Sequence, residues 1–487
     1  MTRPGQAASV YPEAMEHPMW IGGGPVHTAA TQVVELPYDG TPVGTVFRGT
    51  REQVDAAVHA AASAFPAMRE MSREDRAGIL RRAHQLLRER AEQFAQLICG
   101  ESGKPIKEAR VEADRAAWTL LFSAEEAHRL SGEAVPLDAH PGGRGRWAMT
   151  VREPLGVIAA ITPFNFPLNL AMHKIGPALA AGNTVVHKPA TATPLSALAL
   201  VRLFEECGLP KGALNVVTGQ GGEIGDAIVT HQGIAMVTFT GSPEVGVRMR
   251  SLAGMKRVTL ELGNNSAVIL EADADLEAAV PRCIVGAFSH SGQVCISVQR
   301  IYVHESIRKE FLDRFVAATG KLVIGHPSDP ATDVSSLITV PEAERVEAWI
   351  GEAVQAGARL LTGGRRTRAT LTPAILDHAP ETVRLSCKEA FGPVVLVNEF
   401  RALDDAIDAV NRSDYGLQAG IYTRDLDKAF HAARRTHVGG FMINEVPQYR
   451  ADNMPYGGVK LSGAGREGPR YAIEEMTEPK LITWNVN

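Results

Sequence analysis

The spacing of apolar and polar positions changes several times along the chain. Up to about residue 50 the sequence reads as a loose arm followed by two short strands, VVELPYDG and VGTVFRG. From 51 to 131 the period becomes helical: EQVDAAVHAAASAF and REDRAGILRRAHQLLRERAEQFAQLI set apolar residues three and four apart with charges between them. Ser72, with Asp75 behind it, is suited to cap the second of these helices. Residues 133 to 150 turn polar and glycine-rich (HPGGRGRW), lead into WAMTVREP, and predict an extended hairpin.

Between 151 and 262 strands and helices alternate. The strands GVIAAIT, TVVHKP, LNVVTG, MVTFTG and RVTLEL are separated by helices over LNLAMHKIGPALAAG, SALALVRLFEECG, GEIGDAIVTH and EVGVRMRSLA. Units of this length predict an α/β fold with a parallel, doubly wound sheet. A second alternation, from 263 to about 460, carries AVIL, a helix through Cys283, QRIYV, PAIL and VVLVNEF, so that two α/β halves meet near 262.

Composition narrows the class. A chain of 487 residues is long enough for two or three domains. Its net charge of −5 gives no electrostatic reason to bind nucleic acid. No apolar run is long enough to predict a membrane span, and MTRPGQAASVYPEAMEH has no apolar signal core, so a cytoplasmic protein is expected. The cysteines Cys99, Cys207, Cys283, Cys295 and Cys387 lack metal-ligand spacing; reduced thiols and no metal are expected. Cys99 and Cys283 sit in apolar helical contexts and read as core, whereas Cys295 sits in a glycine-bearing loop, GQVCISVQR.

A thiol on such a loop, with Glu261 upstream at the end of VTLEL, suits a covalent thioester cycle: the thiolate attacks a carbonyl and the carboxylate later activates water. A nucleotide cofactor would lie at the carboxyl ends of the parallel strands. There the chain offers TPFNFP, Lys188, and Gly241 and Ser242 opening a helix whose N–H groups suit a pyrophosphate. The run GQGGEIG misses the dinucleotide fingerprint because Ile224 stands where its third glycine belongs. Taken singly, these features read better as a turn before a helix and a solvated lysine.

The ordered set PFNFP, GPALAAGNTVVHKPA, FTGS, LELG, GQVC, KEAFGPV and MPYGGVKLSG resembles the aldehyde dehydrogenase superfamily, from about residue 20 to 485. The resemblance implies two doubly wound Rossmann-like domains plus a small β oligomerisation segment. Residues 1–131 and 152–262 would bind NAD(P), 263–460 would carry the nucleophile, and 132–151 with 461–487 would bridge subunits in a homodimer or homotetramer. It further implies that Cys295 adds to an aldehyde to give a thiohemiacetal. Asn165 and the Cys295 N–H would face the oxyanion, Glu261 would activate the hydrolytic water, and Lys174 would assist proton movement. Ile161, Thr162, Pro163, Phe164, Lys188, Ala190 and Thr191 would border the cofactor on one side. Gly225, Gly241, Ser242, Val245, Leu262, Glu389 and Phe391 would border it on the other. Phe166, His173, Val294, Ile296, Arg450 and Tyr456 would line the substrate tunnel.

Three positions depart from the family pattern. ELGN carries Asn264 where glycine is usual; asparagine tolerates a left-handed backbone, so a working variant is expected. In KPAT, Thr191 replaces a glutamate that favours NAD in relatives. Threonine does not repel a 2′-phosphate, so NADP should be tolerated and NAD is not excluded. Arg450 and His173 stand where relatives acting on apolar aldehydes carry aromatics. A guanidinium in a tunnel is costly unless paired, which favours an acidic substrate. Alternatively Arg450 points to solvent or pairs with Asp452. VPQYRADNMPYGG resembles the lactaldehyde and non-phosphorylating glyceraldehyde-3-phosphate dehydrogenase branch, where a carboxylate, phosphate or sulfonate on a short aldehyde would fit. The rivals are a CoA-acylating enzyme, an acid-reducing relative, and an inactive binding or structural protein. A hydrolytic Glu261 argues against the first two.

Overall fold

The computed structural model describes residues 15–486. The beginning of the loose arm, and with it most of the segment read for a signal core, lies outside the described residues. An eight-stranded sheet has five parallel strands at its centre: Val157–Ile161, Thr184–Lys188, Leu214–Val216, Ile234–Thr240 and Arg257–Glu261. Numbered along the chain, they lie in the order 3-2-1-4-5. Short antiparallel strands close both edges: Gly463–Ala464 beside Arg257–Glu261, and the ribbon of Met19–Ile21 and Gly24–Val26 beyond Leu214–Val216.

A seven-stranded sheet is built from Ser266–Leu270, Val298–His304, Arg359–Thr362, Ala374–Asp377, Val394–Phe400, Gln418–Tyr422 and Gly440–Ile443; only the pair Arg359–Thr362 with Ala374–Asp377 is antiparallel. Every residue of the strands at 157–161, 184–188, 266–270 and 418–422 is buried, as expected of parallel strands covered on both faces. The fold is thus the doubly wound α/β arrangement that the alternation implied.

A separate three-stranded sheet contains Ala134–Val135, Arg146–Pro154 and Thr477–Asn485. The expected hairpin near 133–150 exists only as the two-residue pairing of Ala134–Val135 with Arg146–Pro154. Pro136, Pro141 and the Gly142–Gly143 pair break its first arm into 3₁₀ turns. The long partner of Arg146–Pro154 is the C-terminal strand, in register from Thr477 opposite Pro154 to Asn485 opposite Arg146. The helix expected over 222–231 also differs: a π turn, Gly221–Gly225, precedes a short α-helix, Asp226–Thr230. Adjacent glycines are poor helix formers and allow the wider turn.

The helical zone orients the strand ends. Ser72 caps Arg73–Glu89 by accepting from the Asp75 N–H at 3.1 Å. Glu112, on helix Ile106–Arg129, is fully buried and ion-pairs with the equally buried Lys104. Its other oxygen accepts from the N–H groups of Leu168 (2.9 Å) and Asn169 (3.2 Å), at the start of helix Asn169–Ala181. Two backbone donors that the helix cannot satisfy itself are satisfied by this carboxylate. The loop Thr162–Pro167, between strand and helix, is thereby fixed at both ends.

Glu112→Ala should destabilise the protein by roughly 3–5 kcal/mol, because it removes the ion-pair partner of the buried Lys104. Denaturant titration of the variant against the parent measures this; a loss below about 1 kcal/mol would mean the pair is replaceable by solvent.

Candidate active site

Cys295 lies in a turn after the 3₁₀ segment Ser289–Gly292 and immediately before strand Val298–His304. The approach to it is strained: His290, Ser291 and Gly292 all have left-handed φ (48°, 56° and 73°). A Cβ on Gly292 would stand 2.1 Å from the Gly392 carbonyl oxygen, so only glycine fits. Side chains lock the turn. Ser291 Oγ donates to the Ser335 carbonyl at 2.9 Å, Gln293 Oε1 accepts from the Ile338 N–H at 2.8 Å, and Asn165 Nδ2 donates to the Gln293 carbonyl at 2.8 Å. Asn165, from the fixed loop after the first strand, is therefore brought beside Cys295.

The sulfur stands where two cavities meet. One, of about 500 Å³, is lined by Pro163, Phe164, Asn165, Gly241, Ser242, Leu262, Glu389 and Phe391 as well as Cys295, with Arg345, Trp349 and Tyr415 in its outer wall. The other, of about 290 Å³, is lined by Phe166, Val294, Ile296, Arg450 and Tyr456 as well as Cys295, together with Glu108, Arg115, Asn169 and Gln448. Seven of the fourteen residues expected around a cofactor line the first cavity, and five of the six expected around a substrate line the second, on the two sides of Cys295.

The larger cavity has groups that fit NAD(P). A Cβ on Gly263 would stand 2.6 Å from Glu389 Oε2, and one on Gly241 would stand 2.4 Å from the Phe239 ring, so the backbone stays low in the wall. Glu389 accepts from the Asn264 N–H at 2.9 Å, and burial pushes its carboxyl up to about 7. Ser242 caps helix Pro243–Leu252 by accepting from the Val245 N–H. Lys188 ends its strand beside Ile161, is buried, and donates to the Pro189 carbonyl at 3.0 Å; burial lowers it to about 8. Among the described residues it has no carboxylate partner, which leaves its charge available to a ribose or phosphate.

Ile161, Thr162, Lys188, Ala190, Thr191, Gly225 and Val245 do not line the 500 Å³ cavity. They lie at the strand ends and on the turns and helix that follow. Thr191 Oγ1 donates to the Gly219 carbonyl at 3.0 Å and carries no charge. Asn264 fits for a reason other than tolerance of a left-handed backbone. Its backbone is not left-handed; its side chain instead bonds Ser266 and faces the Leu417 N–H at 3.4 Å.

Glu261, the last residue of its strand, is buried, and among the described residues neither carboxylate oxygen has a hydrogen-bond partner. Gly457 leaves it room: a Cβ there would stand 2.8 Å from Oε1. Burial and the neighbouring Glu467 push Glu261 well above the usual carboxylate range, against the pull of Lys174 and Arg450. Glu467 behaves in the opposite way. Burial opposes its charge, but Lys174 (Nζ–Oε1, 2.7 Å) and Arg450 (Nη2–Oε2, 3.0 Å) outweigh that and hold it at about 2. Two adjacent carboxyls with oppositely shifted acidities are a pattern of acid–base sites.

Glu467 was missed in the sequence because GREGPR reads as a solvated loop. Arg115 was missed because a charge on a long amphipathic helix reads as its exposed face. Two expectations for the tunnel change. Arg450 neither points to solvent nor pairs with Asp452; it is buried, pairs with Glu467, and lies over the Tyr456 ring at 3.7 Å. His173 does not line the tunnel. It is fully buried behind it and bonds Asp452 at 2.9 Å. Asp452 also accepts from Asn169 (3.0 Å) and from both arms of Arg115 (3.0 and 2.8 Å), which fixes the loop that carries Arg450. Burial sends the Cys295 thiol up to about 11, with Tyr456 and Arg450 pulling it back.

Residues 26–482 match the sequence model of the aldehyde dehydrogenase family. The chain is 48% identical over 475 residues (97% of this chain, 99% of the relative) to 3-sulfolactaldehyde dehydrogenase of Priestia aryabhattai. Its structure is similar to NADP-dependent glyceraldehyde-3-phosphate dehydrogenase of Bacillus halodurans C-125 complexed with NADP (TM-score 0.95, 36% identity, covering 97% of this chain and 100% of that one). It is also similar to aldehyde dehydrogenase 21 of Physcomitrella patens in complex with the reaction product succinate (TM-score 0.95, 37% identity, covering 98% and 99%).

Glu467→Gln removes the negative neighbour of Glu261 and releases the charges of Lys174 and Arg450 toward it. Both effects favour ionised Glu261, so the acidic limb of the kcat–pH profile should move to lower pH, by about one unit. An unmoved or upward-shifted limb would show that Glu261 does not control that step.

Proposed function

The chain belongs to the aldehyde dehydrogenase family, and we propose that it oxidises a short aldehyde bearing an anionic or a hydroxyl group to the corresponding acid, with NADP or NAD as acceptor. The enzyme is an NAD(P)-dependent aldehyde dehydrogenase; the substrate class and the residue roles are the proposal. The observation that carries the substrate reading is the state of Arg450. Burial opposes its charge, but Glu467, Tyr456 and Asp452 keep its pKa above the ordinary value. One nitrogen is used on Glu467, while Nε has no partner among the described residues. An unmet buried donor costs about 1–3 kcal/mol, which an anionic or hydroxyl oxygen in the tunnel would recover. Arg115 stands in the same wall, and the small volume favours a short chain. The relatives named above are associated with sulfolactaldehyde, glyceraldehyde 3-phosphate or succinate, all anionic.

The chemistry follows from the positions of the side chains. The Cys295 thiolate bonds through Sγ to the aldehyde carbon as the C=O π bond opens onto oxygen. Asn165 still has a second amide hydrogen for that oxygen, beside the Cys295 N–H, and such a donor is typically worth about 2.7–4 kcal/mol. A nicotinamide held on the Glu389 and Phe391 side of Cys295 would supply the hydride acceptor for that carbon. The acyl group then remains on sulfur as a thioester. Glu261 takes a proton from the water that attacks it, and the C–S bond breaks to return the thiolate and release the acid. Glu467 and Lys174 lie next to Glu261 to pass the proton on. Assembly as a homodimer or homotetramer is supported by the exposed apolar face of the three-stranded sheet, where Trp147, Met149, Ile482 and Trp484 lie on one side.

The test is NAD(P)H formation at 340 nm with apolar and anionic short aldehydes, with and without CoA. Anionic hydroxyaldehydes should lead in kcat/KM by about 10-fold or more, worth about 1.4 kcal/mol, and Arg450→Phe should erase that lead. Cys295→Ala should abolish turnover, and no acyl-CoA should form. A lead for apolar aldehydes would remove Arg450 as the anchor.

A further inference from the structure

Tyr456 does more than line the tunnel. Its Oη is 2.8 Å from Cys295 Sγ, and this sulfur is the one hydrogen-bond partner of the hydroxyl among the described residues. The tyrosine cannot drift from it. Its N–H donates to the Glu467 carbonyl at 3.1 Å, and its carbonyl accepts from the Glu467 N–H at 2.6 Å. The Arg450 guanidinium covers the ring, 3.7 Å from its centroid, and is itself held by Glu467 at 3.0 Å. Phenol, guanidinium and carboxylate therefore form one buried stack that ends on the sulfur.

Toward a thiolate the direction of the hydrogen bond is fixed, because only the hydroxyl then has a proton to donate. Burial and the neighbouring sulfur raise Tyr456 well above an ordinary phenol, so the hydroxyl keeps its proton and can donate. The charged and titratable groups that face the sulfur are Tyr456, Arg450, Glu389 and Glu261. The two carboxyls oppose a thiolate, while Tyr456 and Arg450 favour it, and of the four only Tyr456 is within hydrogen-bond reach. A cation over the ring face withdraws charge from the ring and makes the hydroxyl a stronger donor.

We propose that the Tyr456 hydroxyl is the donor that stabilises the Cys295 thiolate, with Arg450 strengthening it through the ring. Tyr456 is thus a catalytic residue that touches the reacting atom, and phenylalanine in its place would keep the packing and lose the function. The inference rests on the reading of Cys295 as the nucleophile and is independent of the substrate.

The test alkylates the full-length enzyme with iodoacetamide across neutral and alkaline pH and follows the Cys295 peptide by mass spectrometry. The C–S bond forms as C–I breaks, iodide leaves, and the thiol proton passes to buffer. In Tyr456→Phe the midpoint of the rate–pH curve should rise, and the rate below it should fall about 10-fold. Tyr456→fluorotyrosine, a stronger donor of nearly the same shape, should shift the midpoint the other way. It decides the matter alone if the phenylalanine variant fails to fold. An unchanged midpoint in folded Tyr456→Phe, no downward shift with fluorotyrosine, or a shift of both variants in one direction overturns the proposal. Full aldehyde-oxidising activity in enzyme already alkylated at Cys295 would instead overturn the reaction proposed above, so the two failures are separable.

Discussion

Glu467 accepts from Lys174 with one carboxylate oxygen and from Arg450 with the other, and its backbone pairs with Tyr456. Those three side chains come from a helix beneath the first sheet and from the loop that closes the tunnel. Each is buried, and a buried charge without a partner is among the costliest defects a protein can carry. The carboxylate thus does two things. It makes Lys174 and Arg450 tolerable in the interior, and its own negative charge keeps the neighbouring Glu261 reluctant to ionise. A carboxyl whose proton affinity is raised in this way is a stronger base, which suits the removal of a proton from water.

The rest of the site depends on that cluster being held still. Asp452 gathers Arg115, Asn169 and His173, so the loop carrying Arg450 is tied to two helices. Glu112 ties the start of one of those helices to the other and fixes the loop that carries Asn165. Asn165 in turn holds the turn of Cys295 through the Gln293 carbonyl. This chain of contacts runs from a buried ion pair in the helical layer to the sulfur. It explains why so many ionisable groups can be kept near a thiol without collapsing the cavities on either side of it. The left-handed backbone before Cys295 is the strain that such a framework can sustain.

Much of the fold was legible because its signals are local. Parallel strands buried on both faces must be continuous apolar runs, and helices between them must alternate with a period near four, so Val157–Ile161, Thr184–Lys188 and Ser266–Leu270 stood out. The segment at 133–150 was less legible. Its strand Arg146–Pro154 pairs with Thr477–Asn485, more than 300 residues away, and no nearby residue records that choice. The π turn at Gly221–Gly225 was hidden for a different reason: two glycines permit a conformation without specifying it.

The sequence by itself singled out the groups proposed to react. Cys295 on a small-residue loop, Glu261 at a strand end and Asn165 in PFNFP carry chemistry that few residue types can supply, and their order along the chain is visible without coordinates. What the tertiary structure decided is how acidic each group is and what each charge faces. Arg450 could have met solvent, Asp452 or the tunnel; only the packed structure pairs it with Glu467 and lays it on Tyr456. His173 was read as tunnel lining and instead supports Asp452 from behind. Burial, distance and the sign of the nearest charge set a side chain's proton affinity, and those quantities exist only once remote segments have been brought together.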